Sequence, residues 1–403
     1  MAVASSILLA FSTSNTNDAQ YLIDNSPPTI ASEYNDTQNF KSLIKHYPDL
    51  RDTVGEVISL KELSAIPVGE EICDTMVSQG LAIKDGMILI TAYDGIEGYK
   101  SDLRLHSYRR EFKEKLNEEK EHKVHNSVIV VLDQETKEIL TTIELADKNH
   151  VGGIAVDDEN AYIAKSADGV ISVISLDKIK EAAKKGKEEG IRHTSIDYDY
   201  NMPCDCDASI VSLRETIEGK KQLLIGTWIP FPGVSILRTF DFGENNDLIL
   251  DQKFSINSAC NGASFVKRDG KEFLIVACSM GRSLNSNLFV YEVGENEKGK
   301  IELSYRSKSN YPPMMEEITE YVGNDGKRRL AINSEAFSER YSIGRSNIIS
   351  NGIIITDLDR VLDKKGDVRK NAVYYEEDIY KEEEENDDKK RKNKKKEMKE
   401  IDK

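Results

Sequence analysis

Polar side chains recur along this chain at near-regular intervals: Gln79, His150, Asp207, Asn261 and Glu316, the last followed directly by Glu317. Carboxylates, amides and an imidazole together suit a hard divalent cation, or a polar ligand held by hydrogen bonds. As a cation site, Asp207, Asn261 and Glu316 would be the ligands. The two carboxylates would supply charge, Asn261 and Gln79 neutral oxygens, and His150 would favour a transition metal over calcium. Hydrolysis would further need a metal-bound water and a carboxylate base, a role for which Glu317 and Glu335 are the candidates. The plainer alternative is polar lining that satisfies water and backbone near a channel, and His150 equally suits a bond to a backbone carbonyl. Trp228, the one tryptophan, lies in GTWIPFPG. A rigid aromatic there suits stacking on a sugar ring or a peptide, or packing over the end of a sheet. The nucleophile-elbow, HExxH, P-loop and dinucleotide glycine motifs are absent from the sequence.

A repeat must bring these residues together. His150 to Leu176, HVGGIAVDDENAYIAKSADGVISVISL, reads as three short β-branched runs separated by Asp, Asn and Gly turns, a strand–turn–strand signal. Aligning Gly153 with Gly80, Ala208, Ala263 and Glu317 gives steps of 73, 55, 55 and 54 residues. The excess in the first step falls in a charged insertion between Gly98 and His125. A self-similar antiparallel unit of this length predicts an all-β fold, a β-propeller of five blades over residues 76–380. Val54 to Leu63 is the candidate strand that closes the ring, within an irregular N-terminal arm over 21–75. HTSIDYDY is read as the fourth strand of the second blade, and AVYYEEDIY as that of the fifth.

In a propeller the first strand of each blade descends along the channel and the second returns to the starting face. The starts of first strands and the ends of second strands are therefore neighbours. This adds Tyr93-Asp94, Lys165-Ser166, Trp228 with Phe231, Ser279 to Arg282, and Asn333 to Glu335 to the ring, and loops on such a face are where binding resides. The ligand-binding candidates are thus Gln79, His150, Asp207, Trp228, Asn261, Arg282, Glu316 and Glu335. Acidic residues at the ends of third strands (Asp133, Asp177, Asp241, Glu292 and Asp357) read instead as turn chemistry.

The net charge of −16 argues against nonspecific binding to nucleic acid or an anionic membrane, and no nucleic-acid partner is expected. The apolar run from Ala2 to Phe11 is too short for a transmembrane segment and matches a signal-peptide core, so residues 1–20 are read as a signal segment and linker. Residues 381–403, an acidic block followed by a basic one, are expected to be a disordered tail. Five cysteines cannot all pair; a Cys206–Cys260 disulfide is an option if the protein is exported.

QGLAI, HVGGIAV and NGASFV opening blades, with third strands SVIVVLD and NLFVYEV, resemble exported bacterial β-propellers of the YncE-like and gluconolactonase-like type. Gluconolactonase-like members bind a divalent metal through carboxylates and amides in the channel, which the resemblance assigns to Asp207, Asn261 and Glu316. Three readings of function are open. The first is a non-catalytic secreted or surface-associated protein that binds a protein, peptide or glycan on one propeller face. The second is a metal-dependent hydrolase or lactonase. The third is an intracellular interaction scaffold.

Overall fold

The computed structural model describes residues 40–59, 66–68, 71–96, 124–166, 168–281, 284–335, 341 and 352–365. Five sheets, antiparallel except for one added parallel strand, surround one axis. Blade 1 contains β4 (Met76–Lys84), β5 (Met87–Asp94), β6 (Val128–Asp133) and β7 (Ile139–Glu144), preceded by a small hairpin of β2 (Ile66–Val68) and β3 (Glu71–Cys73). Blade 2 begins with β8 (Val151–Val156), β9 (Asn160–Lys165) and β10 (Val170–Ser175). A helix, α2 (Leu176–Glu189), follows; a short helix, α1 (Phe40–His46), precedes the first strand. Strand β11 (His193–Ser195) then runs parallel to β7, as a fifth strand of blade 1, and β12 (Tyr200–Pro203) completes blade 2. This corrects the sequence reading of HTSIDYDY as one strand. Its first residues return to blade 1 because α2 packs over β7 and delivers the chain there.

Blade 3 is β13 (Ile210–Glu215), β14 (Lys221–Thr227), β15 (Ser235–Phe242) and β16 (Leu248–Ile256). Blade 4 is β17 (Cys260–Arg268), β18 (Lys271–Cys278), β19 (Ser286–Glu295) and β20 (Ile301–Tyr311). Blade 5 is β21 (Met315–Val322), β22 (Arg328–Ser334), β23 (Gly352–Asp357) and, from the other end of the chain, β1 (Val54–Ser59). The inner strands close a ring: β4 packs on β8, β8 on β13, β13 on β17, β17 on β21, and β21 on β4. Strand β1 pairs antiparallel with β23 from Val54 opposite Thr356 to Ser59 opposite Gly352. The expected ring-closing strand is thus in place, and it covers the edge that β23 would otherwise expose. AVYYEEDIY, the proposed signal segment and the charged tail lie outside the described residues.

The sequence pattern follows from this stacking. A middle strand is covered on both faces by neighbouring blades, so β5 (MILITAYD) and β23 (GIIITD) are near-continuous buried apolar runs. An outer strand such as β20 opens with alternating buried and exposed residues, IELS. The core accordingly forms five wedges, one between each pair of blades. Leu43, Ile44, Tyr47 and Leu50 extend the wedge between blades 4 and 5, and the Tyr47 hydroxyl donates to Asn285 Oδ1 at 2.8 Å. A further helix, α3 (Leu358–Asp363), is capped by Asp357, which accepts from the Arg360 amide.

Candidate functional site

Inner strands β4, β8, β17 and β21 each carry a bulge on the same level, at Ser78/Leu81, Val151/Gly153, Cys260/Gly262 and Met315/Ile318. A bulge turns successive side chains out of alternation and increases local twist. The residues there are small for a measurable reason. A methyl group at Gly153 would lie 2.8 Å from both Glu317 Oε2 and the Val211 nitrogen, and one at Gly262 would lie 2.8 Å from the Glu317 Cα. Blade 5 alone places a long side chain at this level, Glu317, and it fills the axis that the glycines leave open. Its Oε2 accepts from the Ile154 amide at 2.8 Å, while Oε1 is buried with no hydrogen-bond partner among the described residues. Burial nevertheless raises its carboxyl well above the ordinary range. Beyond it, toward the opposite face, lies a channel cavity of about 120 Å³ lined by Leu81, Ile154, Val211, Ser264 and Glu320.

On the near side of this plug the structure gathers Gln79, Asn261, Glu316 and Glu335, from blades 1, 4 and 5. Asn261 Nδ2 donates to Glu316 Oε1 at 2.7 Å, and to the Met315 carbonyl at 3.2 Å. Gln79 Nε2 donates to Glu335 Oε1 at 2.5 Å, and its own carbonyl accepts from Asn333 Nδ2 at 2.8 Å. Glu316 is buried, and desolvation, then the charge of Glu335, hold its carboxyl well above the usual range. Glu316 and Glu317 thus diverge within the bulge, one to the mouth and one to the axis.

The remaining predicted residues stand further out on this face. His150 is exposed; its ring lies 4.5 Å from that of Tyr93, and Nδ1 lies 3.3 Å from Ser166 Oγ. Asp207 is exposed at the start of blade 3, its carbonyl accepting from the Thr227 hydroxyl at 2.8 Å. Trp228, the next residue, is 39% exposed. Arg282 lies outside the described residues. Of the acidic strand ends, Asp133 and Asp357 bond turn or helix amides, whereas Asp241 and Glu292 pair with Lys220 and Lys271 on the preceding loop or strand.

Two polar groups were not assembled from the sequence, although Asp94 of the second was placed on the binding face. Arg214 of blade 3 makes a bidentate ion pair with Glu272 of blade 4, at 2.9 and 2.7 Å, over the ring of Phe265. All three are buried. At the edge of blade 1, Cys73, Thr75, Asp94 and His125 form a connected group with Glu71. Asp94 and His125 flank the long insertion, and recognising that its ends must meet to continue the blade would have paired them. The five cysteines form no disulfide with one another. Cys206 lies beside Cys204, with the sulfurs 3.6 Å apart, while Cys260 faces Cys278 across β17 and β18.

No family model matches the chain, and no curated protein matches it. Among solved structures it is similar to Kuenenia stuttgartiensis hydrazine synthase, at 16% identity and TM-score 0.32, with 63% of each chain covered. The chain therefore spans less than two thirds of that protein's length. It is also similar to an α-L-arabinofuranosidase from Clostridium thermocellum, at 10% identity and TM-score 0.37, covering 70% of this chain and 88% of the other. Likenesses this distant carry no argument about function, and the propeller is read from its own sheets. Among the described residues no helix is long and apolar enough to cross a membrane.

Proposed function

We propose that this chain is a ligand-binding propeller that takes a basic segment of a peptide or protein partner on the face bearing Glu316, Asp207 and Trp228. The observation that carries the reading is the burial of Glu316 beside Glu335 and Glu317, with the Asn261 amide as its hydrogen-bond donor. A lysine or arginine side chain entering the mouth would supply the charge that burial withholds. Exposed Asp207 and Trp228 add a carboxylate and an aromatic face, the pair of groups that attracts a cation in partly desolvated surroundings. The net charge of −16 steers basic partners toward the chain.

The same carboxylates suggest the rival reading, a divalent cation serving a hydrolase. Asn261 and Gln79 donate their amide nitrogens to Glu316 and Glu335, and what favours the first reading is the exposed carboxylate and aromatic ring at the rim, Asp207 and Trp228.

Export to the cell surface or beyond belongs to the proposal, on the strength of the apolar run Ala2 to Phe11 and the polar stretch after it. Sequencing the N-terminus of the native protein tests that part: a start beyond Phe11 supports it, and an intact Met1 in the cytoplasm contradicts it. The binding itself has a built-in reporter, since Trp228 is the sole tryptophan. Titration with a Lys/Arg-rich peptide is expected to change its fluorescence saturably, and high salt to weaken the effect. An equal response to an Asp/Glu-rich peptide, or none to either, would overturn the reading.

A further inference from the structure

The group at the edge of blade 1 was not anticipated as a site, and it has the composition and geometry of a metal centre. A thiol sulfur of Cys73, a carboxylate oxygen of Asp94 and a ring nitrogen of His125 all lie within 4.8 Å of one another. Ligands about 2.0–2.3 Å from a single tetrahedral ion stand at separations inside that limit. The His125 Nδ1 to Asp94 Oδ2 distance, 3.1 Å, is already that of two ligands sharing an ion. The three come from different segments: the end of β3, the end of β5, and the chain just before β6. Cys73 is fully buried and the Asp94 side chain is 1% exposed, with His125 at 8%.

What surrounds these atoms is as informative as the atoms themselves. His125 Nε2 lies 2.8 Å from Glu71 Oε2, the carboxylate partner that fixes the tautomer of a metal-binding imidazole and leaves Nδ1 as the ligand. Asp94 Oδ1 accepts from Thr75 Oγ1 at 2.6 Å and from the Ile96 amide at 3.0 Å, so that its Oδ2 is turned to His125. Thr75 Oγ1 also lies 3.2 Å from Cys73 Sγ. Each of the three donors therefore has a neighbour that orients it, as outer-shell groups do around a metal.

We propose that Cys73, Asp94 and His125 bind one zinc-class divalent cation, with Glu71 and Thr75 as its outer shell. Sulfur, nitrogen and oxygen donors in one set select such an ion over calcium or magnesium, which take oxygen alone. Binding forms a metal–sulfur bond and releases the Cys73 thiol proton to solvent, with no change of oxidation state. The site ties the β2–β3 hairpin to both ends of the insertion between Ile96 and His125. It is separate from the carboxylates at the channel mouth and does not depend on the ligand proposed for them.

The test loads the purified full chain with Co²⁺ as a spectroscopic probe, with Zn²⁺ as competitor. The expected result is about one ion per chain, a thiolate-to-cobalt absorption band, and loss of that band on adding Zn²⁺. C73S should remove the band while leaving the circular dichroism of the fold unchanged. E71Q, at a residue whose side chain is 63% exposed, should keep the band and weaken binding about 10- to 100-fold. A double variant C204S/C206S should behave as wild type. A wild-type chain that gives no thiolate band overturns the proposal. So does a band that survives C73S but vanishes in C204S/C206S, which would place the ion on the other cysteine pair.

Discussion

Glu316 is a carboxyl group that the folded protein prefers to keep neutral. Its ordinary value is 4.5, and burial with Glu335 nearby raises it well above that. Below about 4.5 both folded and unfolded chains hold the proton, so the group costs nothing; above it the unfolded chain ionises first, and stability is lost as pH rises toward the folded value. Glu316→Gln removes this titration. The variant is therefore expected to be more stable than wild type at pH 7 to 8 in urea unfolding, the two curves converging near and below pH 4.5. Equal stability at neutral pH would show that the folded protein ionises Glu316 without cost. Arg214 gives the opposite sign. Removing it by Arg214→Leu strands the Glu272 carboxylate between blades, and a loss of about 3–5 kcal/mol is expected in the same assay. The repeat sets Gln79, Asn261 and Glu335 on the same face as Glu316, whereas this ion pair leaves no motif. Arg214 and Glu272 are 58 residues apart, close to the repeat, which puts like positions of adjacent blades side by side. The interval could suggest such a meeting, while only the packing shows which side chains turn toward each other.

The inner strands show how far the repeat could be read. Their starts aligned on small residues in four blades and on Glu317 in the fifth, and that irregularity was the trace of the axial plug. The bulges that aim Glu316 and Glu317 in different directions leave no such mark, because they depend on register with β22. Their tightness makes a direct prediction. Gly153→Ala puts a methyl group against Glu317 and the Val211 backbone, and should cost about 1–3 kcal/mol. Gly55→Ala on β1, where a methyl group meets nothing within 4 Å, should change stability by less than about 0.5 kcal/mol. Similar effects at both positions in denaturant unfolding would contradict the packed axis. Strand β11 was misplaced for an equally physical reason. A three-residue strand is held by its neighbour rather than by its own sequence, and α2 decides which neighbour it meets.

At the scale of the whole molecule, β1 joins the two ends of the described chain into one ring, so the last blade has four strands only with the first strand in place. A chain beginning at residue 60 would leave β23 with an open edge. It should unfold less cooperatively, and associate through that edge in size-exclusion chromatography; a monomer with an unchanged unfolding transition would show that closure is dispensable. The closed ring also explains why predicted face residues divide as they do. Blades 1, 4 and 5 lean Gln79, Asn261, Glu316 and Glu335 into the mouth, while His150 and Asp207 stay at the rim with Trp228. Whether that face receives a basic ligand is tested most directly by comparing the affinity of one Lys/Arg-rich peptide for the wild type and for Glu316→Gln, by calorimetry at pH 7.5. If the peptide's cation meets Glu316, the variant should bind at least about 30-fold more weakly, the lower end of what removing one partner of a buried charge pair costs, even though it is the more stable protein. The same dissociation constant for both would contradict the account.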